Sequence, residues 1–167
     1  MINRKNKLRT IAALLVFSST ISLGACSQPT EGELQSKGDI RVVSYDEINK
    51  EYKDSVAQLD WPDSYTPPAD LEGEDPKQSF QTGYGDTRAS LHFECAWEKE
   101  WLNTYATDAD KANKAIEQLS KVPNMGYMSP QRADDVTRRF FNDYLNRAKL
   151  GDPSGFQENI NNNCPTH

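Results

Sequence analysis

Glu94 and Glu98 sit one helical turn apart in a stretch that also holds Leu91, Phe93, Cys95, Trp97, Trp101, Leu102 and Tyr105. At the helical period the apolar side chains fill one broad arc, and both carboxylates fall inside it rather than on the polar side. Buried, the two acids need partners, because a charge taken out of water and left alone is strongly unfavourable. Arg147, near the apolar arc of Phe140 and Tyr144 further along the chain, or another arginine, would supply them in an internal salt-bridge or hydrogen-bond network. In an open cleft, two acids whose pKa values are pushed apart would do general-acid and general-base work, as in the hydrolysis of a polymer. A broad face partly open to solvent is the third arrangement. The network is the expected one.

Other reactive residue types are sparse. His92 falls on the polar side of the same predicted helix, beside Lys99 and Asn103, and the other histidine is the terminal His167. No His/Cys/Asp/Glu spacing recurs that would hold a metal. There is no Gly-x-Ser-x-Gly elbow, no phosphate-binding glycine loop and no His-Glu-x-x-His. Neither a metal nor a cofactor is expected. Cys95 as a nucleophile would need a nearby base that the sequence does not show.

The elements that must position these groups read as helices. Ser44 and Glu47 make a capping box with Val43 and Ile48 at the staple positions, and Ile48, Tyr52, Val56 and Leu59 repeat at helical spacing until Trp61-Pro62. Asp60 to Gly85 is a long irregular segment with Pro62, Pro67, Pro68 and Pro76, acids and glycines, yet also Trp61, Tyr65, Phe80 and Tyr84. A connection this long in a small domain has a role. Its aromatics either dock on the helices as part of the core or form a binding loop that presents Trp61 and Tyr65, with Tyr84 at its end. Asp86 or Thr87 caps a second helix running to about Ala106, and Thr107 with Asp110 caps a third that ends at Pro123. Ser129-Pro130 opens a fourth, whose stripe is Ala133, Val136, Phe140, Tyr144, Leu145 and Ala148, and Gly151 with Pro153 stops it. The tail holds room for one more turn around Phe156 and Ile160 before Cys164.

The N-terminal stretch supplies an address. Arg4, Lys5, Lys7 and Arg9 precede a charge-free apolar run from Thr10 to Leu23, the plan of an export signal. That run is too short to span the hydrocarbon core, which takes about 20 helical residues. Leu23-Gly24-Ala25-Cys26 resembles the lipobox of bacterial lipoproteins. The resemblance covers residues 1–26 alone, and the remainder resembles no named family of known activity. It implies cleavage before Cys26, a diacylglycerol on the Cys26 thiol and a cell-membrane protein facing outside the cytoplasm, on the outer membrane if the host has two. The alternative is a secreted chain in which Cys26 is incidental. Several acyl chains hold a protein stably on a bilayer where one holds it only reversibly.

Residues 1–25 carry 4 of the 19 basic side chains and no acid, so the chain from Cys26 onward has 15 basic against 25 acidic residues, a net charge of −10. Such a surface excludes nucleic acid as a partner. With Cys26 acylated, Cys95 and Cys164 are left in a compartment where disulfides persist, and they are expected to pair. The expected organisation is a signal peptide at 1–25, a lipidated flexible tether at 26–39 and one domain at 40–167. Its fold class is mainly α: four to five helices, a long proline- and aromatic-bearing loop and one disulfide. The functional expectation is a non-enzymatic binding lipoprotein, whose partner is an envelope protein or a cell-wall ligand met by Trp61, Tyr65 and Tyr84. The alternative is a small cell-wall hydrolase using Glu94 and Glu98.

Overall fold

Five helices and one small sheet are built along the chain in the computed structural model, which describes residues 40–165. The expected signal segment, Cys26, the expected tether up to residue 39 and His167 lie outside the described residues. Ser44 caps helix α1 (Tyr45–Val56): its side chain accepts from the Glu47 amide and the Glu47 side chain accepts from the Ser44 amide, which is the box read from the sequence. Ile48 and Tyr52 are its buried residues. Before it, β1 (Val42–Val43) pairs antiparallel with β2 (Phe80–Gln81), Val42 opposite Gln81 and Val43 opposite Phe80. Two residues per strand are too few for an alternating pattern, so the long loop hid this sheet.

Helix α2 (Tyr84–Thr104) is the hub, packed by α1, by α3 (Ala109–Leu119) and by α5 (Ser154–Asn163), while α4 (Asp135–Lys149) lies on α5 and α3. Thirteen of the 21 residues of α2 are buried, on every side. It divides two apolar clusters. The smaller holds Val43, Ile48, Tyr52, Leu71 and Phe80; the larger holds Phe93, Trp97, Trp101, Leu119, Phe141, Leu145 and Phe156. Cys95 of α2 and Cys164 are joined by a disulfide with Cα atoms 5.7 Å apart, as expected.

The structure corrects several helix boundaries. Neither Asp86 nor Thr87 caps α2: the N-cap is Gly83 at φ 92°, a left-handed conformation that favours glycine. The free amides are satisfied from α1, where Glu51 accepts from the Gly83 amide at 2.9 Å and the Asp86 amide at 3.0 Å. Asp108 rather than Thr107 caps α3. Ser129-Pro130 opens a turn in which the Ser129 carbonyl accepts from the Arg132 and Ala133 amides, and α4 starts later, capped by Asp134. Its inward stripe is Phe141, Leu145 and Ala148, while Val136 and Phe140 face outward. The tail is a full ten-residue helix. Gly155 lets it seat on α4, since a Cβ there would meet Tyr144 Cα at 2.9 Å.

Candidate functional site

A helix buried all round must pair its polar side chains internally. The 60–85 segment does this for one face of α2. The Asp60 carbonyl accepts from Trp97 Nε1 at 2.9 Å, Ser64 Oγ donates to Glu100 at 2.5 Å, and the Tyr65 hydroxyl shares a 2.8 Å hydrogen bond with His92 Nδ1. His92 is therefore buried, correcting its expected place on the polar side. Trp61 stacks on Tyr65 and packs edge-on to Phe93, with its indole N–H donating to the Val56 carbonyl. Trp61 and Tyr65 are half-buried and built into the packing.

The opposite face of α2 carries Glu94 and Glu98, 5 % and 0 % exposed. Their partner is Asn159 of α5, whose Nδ2 donates to Glu94 Oε1 at 2.8 Å and to both Glu98 oxygens at 3.0 Å. Asn163, one turn on, donates to Asn159 Oδ1 at 2.7 Å and fixes which way the amide points. The Tyr127 hydroxyl donates to Glu94 Oε2. A network was expected, but not this one: Arg147 instead pairs with Asp143 on the outer side of α4, and among the described residues no Lys or Arg pairs with either carboxyl. Arg147 lies in the same sequence register as the apolar stripe that proved to be rotated outward, which is why it misses the core.

Without a cation, desolvation sets the charge state. Burial pushes Glu98 well above the ordinary carboxylate range and the neighbouring Glu94 adds to this, against the hydrogen bond from Asn159. Burial raises Glu94 too, opposed by hydrogen bonds from Tyr127 and Asn159. Burial and the Glu94 charge also raise Tyr127 well above a free phenol, so it stays a donor. Glu94 has the richer set of donors, and the two acids titrate as a pair held above the ordinary carboxylate range.

This network forms the inner wall of a cleft of about 910 Å³. Glu94, Tyr127, Asn159 and Asn163 line it, while Glu98 does not. Its sides are Tyr84, Leu91, Met128, Phe141 and the ring pair Phe140 and Tyr144, whose centroids are 6.2 Å apart at 28°. Of Trp61, Tyr65 and Tyr84, the cleft takes Tyr84 alone. Tyr84 is oriented by its hydroxyl, which donates to Glu74.

The chain matches no protein-family model, no curated protein and no solved structure.

Tyr127, Asn159 and Asn163 were not singled out by the sequence. Their one signal is the i, i+4 spacing of Asn159 and Asn163, which places both amides on one helix face. Among the described residues no cluster of three His, Cys, Asp or Glu is placed to hold a metal ion, and no helix is long and apolar enough to cross a membrane.

Proposed function

We propose that this chain is a lipid-anchored protein of a bacterial envelope, held through Cys26 and facing outside the cytoplasm, that binds a ligand in the cleft beside Glu94. The lipobox resemblance at residues 23–26 supports the anchor. The observation that carries the binding reading is the cleft itself, concave, lined by aromatic and apolar side chains and floored by a few fixed polar groups.

Hydrolysis fits the same groups less well. A pair of catalytic carboxyls must both reach the scissile bond, one as acid and the other as base or nucleophile. Glu98 is 0 % exposed and has no surface on the cleft, and both oxygens of Glu94 already accept hydrogen bonds. Glu94 is part of the wall of a binding site, and Glu98 lies behind it.

Hydroxyl-radical footprinting of intact cells against the purified full chain tests this. Oxidation of Phe140 and Tyr144 should be lower in the envelope, with exposed Leu150 unchanged; equal oxidation at all three contradicts an occupied cleft. Incubation of the purified chain with peptidoglycan should release no soluble fragments. Release that is lost in Glu94→Gln would instead establish the hydrolase.

A further inference from the structure

The charged groups around the cleft are already engaged within the chain. Arg132 Nη1 donates to the Gly83 carbonyl at 3.0 Å and pairs with Asp86 at 3.3 Å. Asp134 accepts from the Thr137 amide at 2.7 Å as the cap of α4. Glu94 is held by Tyr127 and Asn159. What the wall still offers a ligand is neutral: the side-chain amides of Gln81 and Gln131, which have no partner within the described residues, and the Asn163 carbonyl oxygen.

Beside these groups stands an aromatic pair, Tyr144 packed against the core and Phe140 outside it. Phe140 is 56 % exposed on the lip of the cleft and is stacked on Tyr144 one turn along α4. Exposing a phenylalanine is unfavourable, and this one supports no core cluster. Its flat face is free to take a flat apolar surface.

Resting on the binding reading above, we propose that the ligand is a neutral saccharide chain. One face of a pyranose carries C–H groups, apolar with slightly positive hydrogens, and these fit the negative face of an aromatic ring. Its edges carry hydroxyls that donate and accept at once, the match for side-chain amides. A cleft of about 910 Å³ takes more than one sugar ring. An anionic ligand finds Arg132 already paired with Asp86, and a cationic one finds Asp134 engaged as the cap of α4 and Glu94 5 % exposed and already hydrogen-bonded.

The test is isothermal titration of the full chain, lipidated and held in nanodiscs, with four oligosaccharides of equal length: N-acetylglucosamine and maltose oligomers as neutral probes, a glucosamine oligomer as cation and a galacturonate oligomer as anion. At least one neutral oligomer should bind with an affinity insensitive to salt. Phe140→Ala should weaken it about three- to tenfold, with Tyr144→Ala acting in the same direction and Leu150→Ala, outside the cleft, without effect. Binding of a charged oligomer alone, with steep salt dependence, overturns the neutral-ligand inference and leaves the binding reading standing. Neutral binding that Phe140→Ala does not weaken, or no binding by any probe, overturns the saccharide assignment, and the footprint of Phe140 and Tyr144 in cells then decides the binding reading separately.

Discussion

The pair Glu94 and Glu98 shows how far a side chain's place in a pattern predicts its chemistry. Their position inside the apolar arc was readable, and both are buried. What was not readable is the partner, because Asn159 lies 65 residues from Glu94 and its i, i+4 spacing with Asn163 marks a helix face without pointing to the acids. A neutral amide in place of an arginine reverses the electrostatics: the acids are raised rather than lowered. For an acid whose folded pKa lies above its ordinary value near 4.5, the stability it contributes is complete below that value and is lost as pH rises through the folded pKa. Denaturant unfolding followed from about pH 5 to about pH 9 should therefore show wild type losing stability that Glu98→Gln retains, in a range below tyrosine ionisation. Parallel profiles for the two proteins would mean that Glu98 is not held neutral. Asn159→Ala removes the donor shared by both acids and should cost about 1–3 kcal/mol, read from the shift in the unfolding midpoint at neutral pH. A change within a few tenths would show that water replaces the amide without loss.

At the scale of elements, what was legible depended on whether the residues that fix an element lie within it. The start of α1 was readable because Ser44 and Glu47 cap each other locally. The start of α2 was not, because its cap is Glu51 of α1, 32 residues before Gly83. Glu51→Ala should destabilise the fold by about 1 kcal/mol through the loss of that cap, and amide exchange should rise first at Gly83 to Asp86. Unchanged exchange there would place the capping elsewhere. The start of α4 was misread because Ser129-Pro130 and Asp134 both carry cap chemistry, and the core chose the second by burying Phe141 in place of Phe140. The disulfide connects α2 to the end of α5, the helix that carries Asn159 to the acids. It closes a separation of 69 residues, worth about 4 kcal/mol in the chain-entropy account. Reduction should raise exchange in α5 well before α1, and the cleft wall should loosen with it. Equal protection of α5 in both redox states would show that packing through Phe156 and Gly155 holds it without the bond.

Taken whole, the molecule joins an acidic domain to a sequence that reads as an export and lipidation signal. From Cys26 onward the chain carries a net charge of −10, which disfavours adsorption to anionic headgroups unless something tethers it. The proposed lipid is that tether, and it sets which ligands the cleft meets. A helical domain with a disulfide across it suits an oxidising compartment, so anchor and disulfide support the same address. One measurement tests both. It is the intact mass of the full chain extracted from membranes, wild type against Cys26→Ser, with and without reductant. Wild type should give a chain beginning at Cys26 and carrying acyl groups, with two hydrogens gained on reduction, and Cys26→Ser should carry no acyl mass. An unmodified Cys26 in the wild type, or thiols at Cys95 and Cys164 already free before reduction, would contradict that address.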